Sequence, residues 1–113
     1  MKRRIFSTMF LAMGLVAAKA QQKDTLTINR DKINQLDKEI VHLLGERMEA
    51  ARAIGIYKQA HNMEVLQSNR FNEVLQKAIE TGKAEGLSEE FIRALYEAIH
   101  KESIRQQEAL KKK

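Results

Sequence analysis

Apolar residues recur at intervals of three and four along most of the chain, the spacing that places side chains on one face of an α-helix. The longest such stretch runs from Ile33 to Ile54 and predicts a long first helix. Thr27 suits the N-cap position, and the periodicity continues to about Ala60. Asn62, which tolerates the left-handed backbone conformation common at helix ends, predicts the end of this helix.

Two shorter helices follow the same pattern. The second begins at position 67 or 68 and has one apolar face, formed by Phe71, Val74, Leu75, Ala78 and Ile79. Gly82 and Gly86 are expected to bracket a short loop, after which Ser88 caps a third helix. Because the chain also has no proline and few β-branched runs, we predict an all-α fold with three helices.

The length of the first helix bears on oligomeric state. At 1.5 Å per residue it spans roughly 50 Å, more than two shorter helices of one small chain can cover. The remaining apolar surface predicts an intertwined homodimer built around this helix. An extended monomer or a loose coiled coil is the alternative.

The first 20 residues are typical of a secretory signal. Lys2, Arg3 and Arg4 precede a mostly apolar run, and Ala18 and Ala20 form an A-x-A cleavage pattern. The run is too short for a membrane span. We therefore expect a signal peptide at 1–20, cleavage after Ala20, a domain at 21–113, and a periplasmic or secreted protein that does not associate with the membrane.

The signal also explains most of the positive charge. The formal net charge is +5, but four basic and no acidic residues lie in residues 1–20, which leaves +1 for the rest. This charge is too small for a phosphate-binding surface, so we expect no nucleic-acid partner. The three histidines lack metal-ligand spacing, and the chain has no cysteine, so no metal site is expected.

Three cations interrupt or extend the apolar stripe of the first helix. Arg47 lies on the stripe, Lys58 extends it, and Arg30 lies one turn before it. A buried charge is costly unless it is paired, and no acid on the stripe can pair all three. Arg47 and Lys58 are about 20° apart around the helix and roughly 16 Å apart along it, so both can grip one small anion. Arg30, roughly 25 Å from Arg47, would reach only a ligand of a partner chain.

Two polar residues interrupt the stripe of the third helix. Ser103 and Gln107 lie one turn apart on the face of Ile99 and Leu110, and both can donate hydrogen bonds to an anion or an ether oxygen. The alternative is a polar last turn that faces water.

These residues carry a resemblance to the all-α (type II) chorismate mutase family over about residues 28–110. The matching pieces are RDKI at 30–33, LD at 36–37, LLGER at 43–47, IGIYK at 54–58, Arg70, GLS at 86–88 and SIRQQ at 103–107. The resemblance implies an intertwined dimer of three-helix chains. It also implies an isomerase of the shikimate pathway and aromatic amino acid biosynthesis, which converts chorismate to prephenate without a cofactor.

The resemblance also implies roles for individual residues. Arg47, and Arg30 from the other chain, would bind the two carboxylates of chorismate, and Ser103 would help to hold a carboxylate. Lys58 would bridge a carboxylate and the ether oxygen, to which Gln107 would also donate. Catalysis would thus depend on Lys58, Gln107 and Arg47, whereas Gln67 and Arg70 would complete the substrate-binding set.

Two positions depart from the family pattern. Gln67 replaces an acid, and Phe71 replaces the glutamate that normally meets the substrate hydroxyl. An isochorismate pyruvate lyase of the same fold, which also lacks the glutamate, is therefore an alternative function. A non-catalytic helical binding protein is another.

Overall fold

A computed structural model describes residues 24–111 as three α-helices. They are α1 (Thr25–Ala60), α2 (Ser68–Ala84) and α3 (Glu89–Leu110), and the described residues contain no strand. The predicted all-α class, with a long first helix, is therefore confirmed. The predicted signal at 1–20 lies outside the described residues. None of the helices within residues 24–111 contains an apolar stretch that could span a membrane.

The chain divides into two compact units, with the boundary between Ile40 and Val41. The described part of the first unit is the N-terminal portion of α1. Every residue from 24 to 40 is exposed, including the apolar ones, whose exposure lies between 43% and 57% (Leu26, Ile28, Ile33, Leu36 and Ile40). The second unit contains the rest of α1 together with α2 and α3.

The first helix begins three residues before the predicted start. Asp24 precedes α1, and its carboxylate accepts a hydrogen bond from the backbone N–H of Thr27 at 2.7 Å. The same bond lowers the pKa of the Asp24 carboxyl. Thr27 is therefore not the N-cap. A charged carboxylate is as good a cap as a threonine hydroxyl, and it also interacts favourably with the positive end of the helix dipole.

The last turn of α1 closes as the sequence predicts. Asn62 adopts the left-handed conformation, with φ of 53°. This lets the N–H of Met63 donate a hydrogen bond to the carbonyl of Lys58 at 2.8 Å, which is the 6→1 bond of a Schellman motif. The motif fixes the chain direction after α1 and places the following loop beside Lys58.

The predicted loop between Gly82 and Gly86 is shorter than expected, because Gly82 is a buried residue inside α2. A Cβ atom on Gly82 would lie 2.7 Å from Cγ1 of Ile92, so the missing side chain allows α3 to approach α2 closely. Gly86 supplies the positive φ of 78° that the turn after α2 requires. Ser88 caps α3 as predicted, and its hydroxyl accepts from the N–H of Phe91.

The core of the second unit lies between α2 and α3. Leu75, Ile79 and Ile92 are buried, and three partly buried residues pack around them, namely Phe71, Ala78 and Tyr96. The face predicted for the second helix is thus the face that packs. On α1 the buried residues are Met48, Ala51 and Gly55.

Gly55 lies in close contact with α3. A Cβ atom there would lie 2.9 Å from Cγ of Gln107 and 3.1 Å from Cδ1 of Leu110. A side chain on α1 would therefore push Gln107 away. Gly45 lies ten residues earlier on the same helix, and a Cβ atom there would have no neighbour within 4 Å.

We predict opposite effects for alanine at these two glycines. Alanine favours a helix interior over glycine by about 0.5–1 kcal/mol, so Gly45→Ala should raise the free energy of unfolding by that amount. Gly55→Ala gains the same term but overpacks the α1–α3 contact, which typically costs about 1–3 kcal/mol, so it should be less stable than Gly45→Ala. Urea unfolding of both variants measures the difference. Equal stabilisation by the two substitutions would contradict the close contact at Gly55.

Candidate functional site

A cleft of about 440 Å³ lies within the second unit and is lined by all three helices and the α1–α2 loop. Its lining residues are Arg47, Ala50, Ala51, Ile54 and Lys58 from α1, Val65 and Gln67 from the loop, Arg70, Phe71 and Val74 from α2, and Tyr96, His100, Ser103, Ile104 and Gln107 from α3. Six of the seven site residues predicted from the sequence are in this set. Arg30 is the exception.

Lys58 is held at the C-terminal end of α1. Its ammonium group donates a hydrogen bond to the backbone carbonyl of Val65 at 2.8 Å, and its side chain is half-buried. The carbonyl-rich end of a helix stabilises a cation, which offsets part of the desolvation cost. An ammonium group has three donors, so one bond to Val65 leaves Lys58 able to bind a ligand in the cleft.

Arg47 extends from the middle of the same helix and contacts α3. Its Nη1 donates to the hydroxyl of Ser103 at 3.3 Å, and its guanidinium lies 5.9 Å from the ring centroid of Tyr96. Ser103 in turn approaches the sulfur of Met48 at 3.5 Å. The ring and the hydroxyl orient the guanidinium, whose fork of donors matches a carboxylate.

Gln107 is buried, with 8% of its surface exposed, and its Nε2 donates to the carbonyl of Ala51 at 2.7 Å. The neighbouring Gln106 instead bonds to Arg52 and Glu102, outside the lining of the cleft. Ser103 and Gln107 therefore do not form a polar last turn that faces water. The second N–H of Gln107 remains available as a donor.

Arg70, Gln67 and Phe71 line the α2 side of the cleft. Arg70 and Gln67 are exposed, and Arg70 forms an ion pair with Glu73 at 3.6 Å. Phe71 is half-buried and packs against the core of the second unit. This side thus combines one cation with an apolar wall.

The charged residues that line the cleft are all positive. Its lining includes Arg47, Lys58 and Arg70 and no carboxylate, and no carboxylate within residues 24–111 forms an ion pair with Arg47 or Lys58. The positive charges of Arg47 and Lys58 also act on His100. Desolvation lowers the pKa of the His100 imidazole, and the charges of Arg47 and Lys58 lower it further. An arrangement of this kind is suited to an anion such as a carboxylate.

Arg30 lies in the first unit, on an exposed part of α1, and does not line the cleft. Within residues 24–111, no group of three or more histidine or acidic residues could hold a metal ion.

Sequence reasoning missed three contributors to the cleft: Val65, Tyr96 and His100. Val65 acts through its backbone carbonyl, which no side-chain pattern reveals. Tyr96 and His100 could have been found, because residues 96, 100, 103 and 107 follow helical spacing and share a face with the two polar residues of α3. The apolar pattern does not single out Tyr96, and the sequence presents His100 only as a possible metal ligand.

Comparison with known proteins identifies relatives of this chain. The sequence model of the family described as chorismate mutase type II matches residues 29–108. The chain is 39% identical over 90 residues to a bifunctional chorismate mutase/prephenate dehydratase of Buchnera aphidicola subsp. Acyrthosiphon pisum. It is 35% identical over 81 residues to the protein of that name from Escherichia coli K12 and 32% identical over 88 residues to the one from Buchnera aphidicola subsp. Schizaphis graminum.

These alignments cover most of this chain but a small part of each relative. They include 80%, 72% and 78% of this chain, and 23%, 21% and 23% of the respective relatives. The chain thus spans less than a quarter of the length of the curated relatives that it matches.

Proposed function

The chain belongs to the chorismate mutase type II family, and we propose that it catalyses the rearrangement of chorismate to prephenate. The observation that carries the proposal is the cleft itself, in which Arg47, Lys58 and Gln107 converge and no carboxylate is present. Chorismate carries two carboxylates and an ether oxygen, so it offers a partner to each of these groups.

Binding would orient the substrate for reaction. A guanidinium such as that of Arg47 binds a carboxylate through two parallel hydrogen bonds, and the hydroxyl of Ser103 lies beside it to assist. Arg70 and Gln67 supply further donors from the α2 side of the cleft. Holding the side chain of chorismate over its ring in the reactive chair-like conformation removes much of the entropic part of the barrier.

The rearrangement itself needs no proton transfer. The ether C–O bond breaks while a C–C bond forms within the same molecule, so all atoms of chorismate are retained in prephenate. Negative charge develops on the ether oxygen as the bond breaks. Lys58 and Gln107 would stabilise that charge with donors already held in place by Val65 and Ala51, which is the most effective form of electrostatic catalysis.

We predict that the purified chain converts chorismate to prephenate and that Lys58→Ala and Gln107→Ala each lower kcat/KM by about 10²–10³-fold. Gln106→Ala is the matched control, since it removes the same amide from the adjacent position outside the cleft, and it should keep wild-type activity. Prephenate formation measures turnover, and circular dichroism checks that each variant is folded. No turnover by the wild-type chain, or equal effects at positions 106 and 107, would contradict the proposal.

Phe71 favours a second candidate function, that of an isochorismate pyruvate lyase, which the same assay can test. The apolar ring lines the cleft at a position where the family pattern has a glutamate, so isochorismate should be supplied in parallel. Release of salicylate and pyruvate would identify a lyase instead of a mutase. Tight dicarboxylate binding without turnover of either compound would identify a non-catalytic binding protein.

A homodimer with Arg30 shared across the interface is the assembly that we propose for this activity. Exposed apolar residues continue along α1 from Leu26 to Tyr57, a length of apolar surface unusual for a helix that faces only water. Arg30 lies within this exposed region and does not line the cleft of its own chain. A second copy that covers α1 would bring its own Arg30 to the dicarboxylate as a further cation beside Arg47 and Lys58.

Mixed dimers test this arrangement. Arg30→Ala and Lys58→Ala chains should each be nearly inactive alone. After joint unfolding and refolding they should recover about a quarter of wild-type activity, because half of the dimers are mixed and each mixed dimer has one intact site. A mixture of Lys58→Ala and Gln107→Ala chains is the control and should not recover, since both residues belong to the same cleft. Absence of recovery in the first mixture would argue against a shared site.

We further propose that residues 1–20 direct export to the periplasm or the medium. The support is the basic start, the apolar run and the A-x-A pattern, all of which lie before the region matched by the family, residues 29–108. Expression of the full chain in a bacterium should give an exported protein whose N-terminal sequence begins at Gln21. Replacing Ala18 with lysine should block this cleavage, and an unprocessed cytoplasmic chain would contradict the proposal.

A further inference from the structure

His100 and Phe71 form an aromatic pair on one wall of the cleft. Their ring centroids are 4.2 Å apart and the ring planes differ by 30°, so Phe71 covers a face of the imidazole. The nitrogen atoms lie on the edge of the imidazole, which this contact leaves available. Both residues line the cleft and both are half-buried.

The imidazole of His100 has no hydrogen-bond partner within residues 24–111, unlike the side chains of Lys58 and Gln107 in the same cleft. Lys58 donates to Val65, and Gln107 donates to Ala51. His100 instead contacts the ring of Phe71 and is influenced by the charges of nearby cations. A half-buried donor and acceptor that faces a ligand cleft is well suited to bind a polar atom of the ligand.

The charge state of His100 limits which atom it can bind. Desolvation and the positive charges of Arg47 and Lys58 lower the pKa of the imidazole, which favours the neutral ring. A neutral imidazole has one donor and one acceptor. A hydroxyl group also has both, whereas a carboxylate only accepts and is better matched by the three cations of the cleft.

We propose that His100 is a specificity-determining residue that hydrogen-bonds to the ring hydroxyl of chorismate, with Phe71 holding the imidazole in place. The inference rests on the proposed function, which supplies the substrate. The carboxylates and the ether oxygen of chorismate find their partners in Arg47, Lys58 and Gln107. The ring hydroxyl is the remaining polar group, and His100 offers it a donor and an acceptor that have no partner within residues 24–111.

The test uses two unreactive dicarboxylates and the full chain. In both compounds the enolpyruvyl side chain of chorismate is reduced to a lactyl ether, and one of them also lacks the ring hydroxyl. A neutral hydrogen bond predicts that calorimetry finds the hydroxyl compound bound about 3–10-fold more tightly by the wild-type chain. His100→Phe keeps a ring against Phe71 but removes both nitrogens, so this ratio should fall to about one, with unchanged affinity for the compound without the hydroxyl.

Two further variants separate hydrogen bonding from packing. His100→Gln restores a donor and an acceptor and should recover part of the preference for the hydroxyl. His61→Phe is the matched control, because His61 also stacks on an aromatic ring, Tyr57, at 3.9 Å, but does not line the cleft. It should keep the wild-type ratio.

Each outcome decides the proposal. A wild-type ratio retained in His100→Phe overturns the role of His100, as does a wild-type chain that binds both compounds equally. Binding of both compounds by a chain that does not convert chorismate overturns the mutase activity alone, and the ratio still decides the role of His100. If neither compound binds, both the proposed function and the role of His100 are wrong.

Discussion

The contact between Gln107 and the backbone of α1 is the interaction on which the cleft depends. The amide of Gln107 reaches the carbonyl of Ala51 because Gly55, one turn further along, has no side chain in the way. This contact pins the last turns of α3 to the middle of α1. It also uses only one of the two amide N–H groups, so the residue that joins the helices can still bind a ligand.

The charges of the cleft follow from the same helices. A cation facing the interior of a small protein is unfavourable unless something compensates for the lost hydration. For Lys58 the compensation comes from the C-terminal end of α1 and from the Val65 carbonyl, which the left-handed turn at Asn62 brings near. Arg47 remains exposed and is oriented by Ser103 and Tyr96. Backbone groups hold Lys58, and Ser103 and Tyr96 orient Arg47, so part of the cost of placing these cations in the cleft is offset.

Periodicity predicted the three helices well, because each helix has an apolar face and recognisable end signals. It failed at positions where two signals compete. Gly82 is typical of a loop, yet it lies inside α2 because Ile92 needs the space. Thr27 is a good cap, but Asp24 caps the helix earlier.

Side-chain chemistry was predictable where a polar residue interrupts an apolar stripe, as at Arg47, Lys58, Ser103 and Gln107. The cost of burial assumed for the three cations was too large, since Arg30 and Arg47 are exposed in the single chain. The Val65 carbonyl could not be predicted, because it depends on the path of a loop. His100 was missed because a lone histidine suggests a metal ligand or a core residue before it suggests a neutral hydrogen-bonding group.

The proposed reaction needs orientation and charge, and no proton transfer, which makes few demands on the surrounding structure. General acid–base catalysis would require a carboxylate or histidine whose pKa is tuned by an extensive surrounding structure. An intramolecular rearrangement requires only fixed donors around a folded dianion, and three helices can provide them from one face each. Neutralising two carboxylates is harder for three helices of one chain. The cations that do so must lie close together, and they therefore repel each other. If a second copy of the chain supplied one of those cations, the separate chain would have less charge repulsion in its cleft. Activity would then depend on assembly of the dimer.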